Sequence, residues 1–196
     1  MRRRQFIAGS SAILATGGLA LTGCTTTSLS ARDGTSEDTA KRATINTGID
    51  STLARLYNSV NGSRELIGKA RGVLVFPSVI SAGFWVGGQY GEGSLRVGGR
   101  TTGYYSTVAG SFGLQIGAQS KALVFLFMTQ EALDKFLSSQ GWAAGADATV
   151  AVLKVGANGA VDTSTATSPV EAFVLTNGGL MAGVSLEGTK VSRLII

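Results

Sequence analysis

Hydrophobic positions divide the chain into regions of different period. Ile45, Ile49, Leu53, Leu56, Tyr57 and Val60 recur at spacings of three and four, which places them on one face of a helix. Asn61-Gly62 ends that run. Ser63 then stands where an N-cap belongs, ahead of a short second helix from Arg64 to Ala70 with Leu66 and Ile67 on its apolar side. From Val73 the period changes. Val73 to Phe76 reads as a strand stopped by Pro77, and Ala82 to Tyr90 as another. Residues 104–118 alternate. Tyr104, Val108, Phe112, Leu114, Ile116 and Ala118 share one face, and Tyr105, Thr107, Ser111, Gln115 and Gly117 the other, as in a half-buried antiparallel strand. Ala122 to Met128 is an unbroken apolar run, expected for a central strand.

Thr129 caps a mid-chain helix that reaches Leu137, with Leu133, Phe136 and Leu137 inward. Strands follow at Thr149–Val155, Val170–Leu175 and Met181–Leu186, with a last one at Val191–Ile196. Asn158-Gly159 and Asn177-Gly178 stand at the ends of two of them. Both residue types tolerate positive φ, so each pair predicts a hairpin. The fold class expected is α+β: a predominantly antiparallel, curved or barrel-like glycine-rich sheet with N-terminal helices and one mid-chain helix.

The amino-terminal stretch has a different pattern. Arg2, Arg3 and Arg4 precede an apolar segment from Phe6 to Leu21, the layout of an export signal. Gly9, Gly17, Gly18 and several hydroxyl residues interrupt the segment, which is short of the ~20 apolar residues a spanning helix needs. Leu21-Thr22-Gly23-Cys24 matches the lipobox of bacterial lipoproteins. Cleavage is expected between Gly23 and Cys24, with the Cys24 thiol carrying a diacylglycerol and an acyl chain such as palmitate on the new amino terminus. Arg3-Arg4-Gln5-Phe6-Ile7 fits the twin-arginine export motif; the general secretory route is the alternative. Residues 24–43 are polar and Thr/Ser-rich, which predicts a lipidated flexible tether reaching roughly 25 Å as a coil. The domains expected are thus a signal peptide at 1–23, the tether at 24–43 and a single domain at 44–196. Thr25 after the cysteine favours the outer membrane, facing the periplasm, in envelopes that sort on that position.

Composition narrows the chemistry. The net charge of +5 is mostly the signal: removing residues 1–23 leaves 14 basic against 12 acidic residues, a net charge of +2. The remaining basic residues are scattered, so charge gives no case for nucleic acid. The chain has no His and one Cys. That excludes a Ser-His-Asp triad, a Cys-His dyad, an internal disulfide and a His- or Cys-ligated metal site within it. No spacing among the acids suggests a carboxylate pair. No catalytic residue, metal or cofactor is expected, and the protein is read as non-catalytic. Gly87-Gly88-Gln89-Tyr90-Gly91-Glu92-Gly93 inverts the dinucleotide fingerprint and precedes a strand-like segment, so it reads as a bulged turn. Several glycines, among them Gly83, Gly87, Gly88, Gly110, Gly113, Gly117 and Gly183, fall inside strands. Curvature, or close approach of a ring or a ligand chain, would account for them.

Three blocks in order resemble the SYLF domain family. They are Lys69-Ala70-Arg71-Gly72-Val73-Leu74-Val75-Phe76-Pro77 with Ala82-Gly83-Phe84 and the glycines to Gly93; Tyr104-Tyr105 leading to Gly113-Leu114-Gln115-Ile116-Gly117; and Gly145-Ala146-Asp147-Ala148 with Gly179 to Gly188. The resemblance covers roughly residues 60–190. It implies lipid binding, in eukaryotic members of phosphoinositides through the N-terminal part, and in some members actin binding. An exported bacterial protein would meet neither of those ligands. Membrane phospholipid is the expected partner, with Arg64, Lys69 and Arg71 as basic contacts and Phe84 and Trp85 as apolar ones. A protein partner in the cell envelope is the alternative.

Overall fold

The structure is a computed structural model. It describes residues 34–113, 119–154, 159–161, 167–177, 179–181 and 184–196, and for 82–86 and 111–113 the backbone alone. The expected signal peptide, the expected Gly23–Cys24 cleavage site and the part of the expected tether up to residue 33 lie outside the described residues. Asp33–Ile196 form one compact unit.

Helix α1 runs Gly34–Ser59 and α2 Ser63–Lys69. Of the apolar face read from Ile45 to Val60, Ile45, Ile49, Leu56 and Val60 are buried, and Leu53 and Tyr57 half-buried. The helix nevertheless starts ten residues early, so 34–43, expected as coil, are helical. Their polar character gives no amphipathic signal; Lys41 and Arg42 hold them through contacts to Glu92 and Ile196. Ser63 does not cap α2. The cap position is Gly62, at φ 83°, and Ser63 is the first helical residue. Its buried hydroxyl donates to the Val60 carbonyl at 2.7 Å and so closes the end of α1 instead.

The sheet is built on a long ribbon. Strand β1 is Gly72–Val97, β2 Arg100–Gly113 and β3 Gln119–Phe127. Both β2 and β3 pair antiparallel with β1, taking successive stretches of it: β2 from Val97 to Trp85, β3 from Ser81 to Gly72. Gly98 and Gly99, at φ 57° and 78°, make the two-residue turn between β1 and β2. Pro77 does not stop β1. The register with β3 shifts between Phe76 and Val79, so Pro77 and Ser78 form a bulge where the missing N–H costs no ladder bond.

The ribbon folds back on itself. A Cβ on Gly93 would lie 2.0 Å from the Val75 carbonyl oxygen, and one on Gly91 2.8 Å from that of Ser78. The two ends of β1 therefore touch backbone to backbone, and only glycine permits it. Helix α3 (Gln130–Ser138) follows β3, then β4 (Gly141–Ala143), β5 (Val150–Val152), β6 (Val170–Thr176), β7 (Gly179–Leu180) and β8 (Lys190–Leu194). Among the described residues the strand order is β4-β8-β2-β1-β3-β6-β5, with β7 beside β6. The sheet is curled and mostly antiparallel, an α+β half-barrel as the pattern predicted.

Both faces of the sheet are covered, which explains why β3 is apolar throughout. Leu123, Phe125 and Phe127 enter a core under α3 with Phe76, Phe136 and Trp142. Ala122, Val124 and Leu126 enter a second core under α1 and α2 with Ile49, Leu56 and Phe173. Each such large side chain contributes about 1.5–3 kcal/mol by burial. Rings in the first core meet edge to face, Phe125 with Trp142 at 5.8 Å and Phe136 with Trp142 at 5.8 Å. The Thr129 hydroxyl caps α3 by accepting from the Ala132 N–H at 3.2 Å, as its sequence position predicted.

Further expectations need correction. Leu137 does not face inward; it is 45% exposed. On β2 the buried residues are Tyr105 and Thr107, whereas Val108 is exposed. The α3 layer supplies the reason, since Tyr105 packs against Phe136 at 5.0 Å with the rings tilted by 47°. The strand β5 is parallel to β6, so no hairpin joins them at Asn158-Gly159. Gly159 accepts from the Asn61 N–H at 3.1 Å, drawing that segment to the junction of α1 and α2. At the second Asn-Gly pair β6 and β7 do pair antiparallel, with Thr176 opposite Gly179, but the return strand is Gly179–Leu180; the described residues of Met181–Leu186 lie in no strand.

Gly93→Ala should lower stability by about 2 kcal/mol or more, because backbone must move to admit the methyl group. Gly88→Ala, where nothing lies within 4 Å of the added atom, should be neutral or stabilising by about 0.5 kcal/mol. Urea unfolding of the two variants beside the parent chain checks the contrast.

Candidate functional site

Helix α2 gathers the basic candidates at one exposed end of the domain. The Arg64 guanidinium lies 4.1 Å from the Tyr57 ring centre. Lys69 pairs with Glu65 at 2.7 Å, one helical turn back, and holds the Glu65 carboxyl below its usual range. Arg71 is exposed; its backbone N–H donates to the Phe127 carbonyl at 2.8 Å, which fixes where α2 leads into β1. Exposed contacts of this kind are weak, so an anionic headgroup competes with them easily. Phe84 and Trp85 lie in the middle of β1, with Trp85 opposite Gly113. Their side chains fall outside the described residues. Twelve strand positions lie between Gly72 and Trp85, so the basic and the aromatic candidates do not form one cluster.

A polar seam between α1 and the β1–β2 part of the ribbon was not legible in the sequence. Lys41 pairs with Glu92 at 2.8 Å, and the Tyr90 hydroxyl donates to the same carboxylate at 2.6 Å. Burial disfavours ionising Glu92, but Lys41 and Tyr90 outweigh it and its carboxyl sits below the usual range. The bond to Glu92, then burial, then the carboxylate charge push the Tyr90 hydroxyl up to about 12. Further along, Asp50 accepts from Arg96 at 2.7 Å and Asn46 donates to the Tyr104 hydroxyl at 2.9 Å. Arg42 lies 5.9 Å from the Tyr104 ring centre and its guanidinium donates to the Ile196 carbonyl. These contacts tie the polar first turns of α1 to strands more than 40 positions away.

A second region joins the two parts of the third sequence block. The Asp147 carboxylate accepts from the Ala143 N–H at 2.6 Å, and Gly145 takes φ 89°. The Gly188 N–H donates to the Ala144 carbonyl at 3.0 Å. Beside this loop a groove of about 430 Å³ runs along β5, lined by Gly145, Thr149, Val150, Val152, Lys154 and Glu187 among others.

Glu171 on β6 is 1% exposed. One carboxylate oxygen accepts from the Ser168 N–H at 2.9 Å, and the other has no partner among the described residues. Burial pushes its pKa up, against the Ser168 bond. The Ser94 and Thr107 hydroxyls are buried and likewise unpartnered. Among the described residues no group of three or more Cys, Asp or Glu is placed to hold a metal ion. No described helix is long and apolar enough to cross a membrane.

Residues 108–193 match the family model described as Ysc84, Las17-binding protein actin regulator. The stretch runs from the end of β2 through β8 and takes in the third block and most of the second; the first lies before it. The match agrees with the SYLF resemblance carried by the sequence blocks and supports a domain of the lipid- or actin-binding type over those residues. No curated protein matches the chain.

Two variants probe these groups. Glu92→Gln should bring the Tyr90 hydroxyl down from about 12 toward the ordinary tyrosine value of about 10, read as a difference in ultraviolet phenolate titration against the parent. Glu171 binds its proton more tightly folded than unfolded. Its contribution to stability is therefore complete below the unfolded value near 4.5 and fades as pH rises through the folded one. Glu171→Gln should remove that slope and be the more stable form at pH 8, by about 1 kcal/mol. Denaturant midpoints from pH 4 to 8 give the comparison.

Proposed function

We propose that the protein is an exported lipoprotein, acylated on Cys24, whose SYLF-type domain binds membrane phospholipid without catalysing a reaction. The observation that carries this reading is the conjunction of a lipobox ending at Cys24 with a family model for a lipid- and actin-binding type of domain. Export and acylation place the domain at a bilayer, where actin is absent. Two or three acyl chains suffice to hold it there stably, at ~0.8 kcal/mol per buried methylene. The exposed cations Arg64, Lys69 and Arg71 add about 1 kcal/mol each toward anionic headgroups when near the surface. The proposed location is the outer membrane, on its periplasmic face.

A second reading is a structural lipoprotein that docks another envelope protein. The groove beside β5 favours it. Among the described residues that strand pairs on one edge only, with β6, and an added strand from a partner would complete the other. Lipid would then act through Cys24 alone.

Cys24→Ala should abolish incorporation of labelled palmitate and leave an intact mass without the diacylglycerol increment. The anchor-free Cys24→Ser chain, lacking residues 1–23, should still float with liposomes, better when they contain anionic lipid. Flotation lost for every lipid composition, with a partner crosslinked near Val152, selects the second reading.

A further inference from the structure

The middle of the β1–β2 ribbon carries no charge. No Asp, Glu, Lys or Arg occurs from Ile80 to Gly91 or from Thr101 to Ser120, although β1 and β2 resume charge at Glu92, Arg96 and Arg100. Ile80, Tyr90 and Val108 are 53%, 50% and 45% exposed there. They share one face. Tyr90 and Val108 are direct cross-strand partners, and Tyr90 bonds Glu92 on the side that carries α1. Val79 points into the core under α3, so Ile80 points the opposite way, an even number of positions from Tyr90. Between them Gly88 leaves open space where a side chain would stand. A tyrosine whose ring is exposed and whose hydroxyl is bonded suits the boundary between water and hydrocarbon.

Chain length says what covers this face. Lys41, seven residues into α1, meets Glu92 two positions from Tyr90. Cys24 precedes the start of α1 by ten residues. Ten residues span at most about 35 Å and, as a coil, roughly 17 Å. The far end of α1, where α2 and its cations begin, is a further ~39 Å of helix away. An acyl chain on Cys24 therefore keeps the Tyr90 end of the domain close to the lipid.

Resting on the lipid-binding reading above, we propose that the uncharged ribbon face bearing Ile80, Tyr90 and Val108 is the surface that enters the bilayer interface. The bilayer is its occupant, and the α2 cations act from a distance that makes them secondary. Binding then persists on neutral lipid, which a purely cationic site would not support.

The test uses the mature-length chain with Cys24→Ser and one new cysteine, Ile80→Cys, Val108→Cys or Leu137→Cys, carrying an environment-sensitive fluorophore. The probes are vesicles of phosphatidylcholine, with and without phosphatidylglycerol. Labels at 80 and 108 should shift to the blue on both vesicles and be quenched by lipid-borne quenchers, while the label at 137, exposed on α3, should not change. In parallel, Ile80→Glu with Val108→Glu should weaken flotation at least ~10-fold at an unchanged melting temperature, and Leu137→Glu should not. Flotation with water-exposed labels at 80 and 108 overturns the ribbon as the contact and leaves lipid binding standing. No flotation of the parent overturns both.

Discussion

The close approach of β1 to itself is the constraint on which the rest of the domain depends. Gly91 and Gly93 let the C-terminal end of the strand rest against Val75, Phe76, Ser78 and Val79, where a side chain on either glycine would clash. That contact folds a long two-stranded ribbon into a half-barrel. One end is then free to widen through β6 and β5, and the other through β8 and β4. The curl also makes two cores possible, because each face of β3 can find its own helix layer.

Helix α1 fastens this arrangement from outside. Its apolar stripe from Ile45 to Val60 packs in the second core, while Lys41, Arg42, Asn46 and Asp50 tie its amino-terminal half to distant residues by polar bonds. Those bonds are exposed or half-exposed and individually modest. The same turns connect the fold to the segment bearing Cys24, so the part of α1 with the least apolar anchoring lies nearest the proposed membrane anchor.

The buried polar groups are the counterpart of a sheet covered on both faces. Glu171 lies in a strand otherwise buried and apolar, and it keeps one hydrogen bond where a carboxylate can accept several. Family resemblance adds a consistent picture at the other edge, where the loop at 143–148 and the return at 186–189 are bonded to each other. Those residues are far apart in the chain, yet they formed one block in the sequence reading and adjoin in space.

Much of the local structure was written in the sequence. The period of 3.6 set α1 from Ile45 onward, the uninterrupted apolar run set β3, Thr129 set the start of α3, and Asn177-Gly178 set a hairpin, because each rests on neighbours a few positions away. The paired glycines at 98 and 99 are an equally local turn signal. The lipobox around Cys24 is likewise a property of consecutive residues. Tertiary structure alone decided the rest. Pro77 became a bulge instead of a stop, Leu137 turned outward, β5 ran parallel to β6, and 34–43 became helical through bonds to Glu92 and Ile196. Each of these depends on a contact with residues distant in the chain, and hydrophobic period carries no record of which distant backbone will arrive at a given glycine.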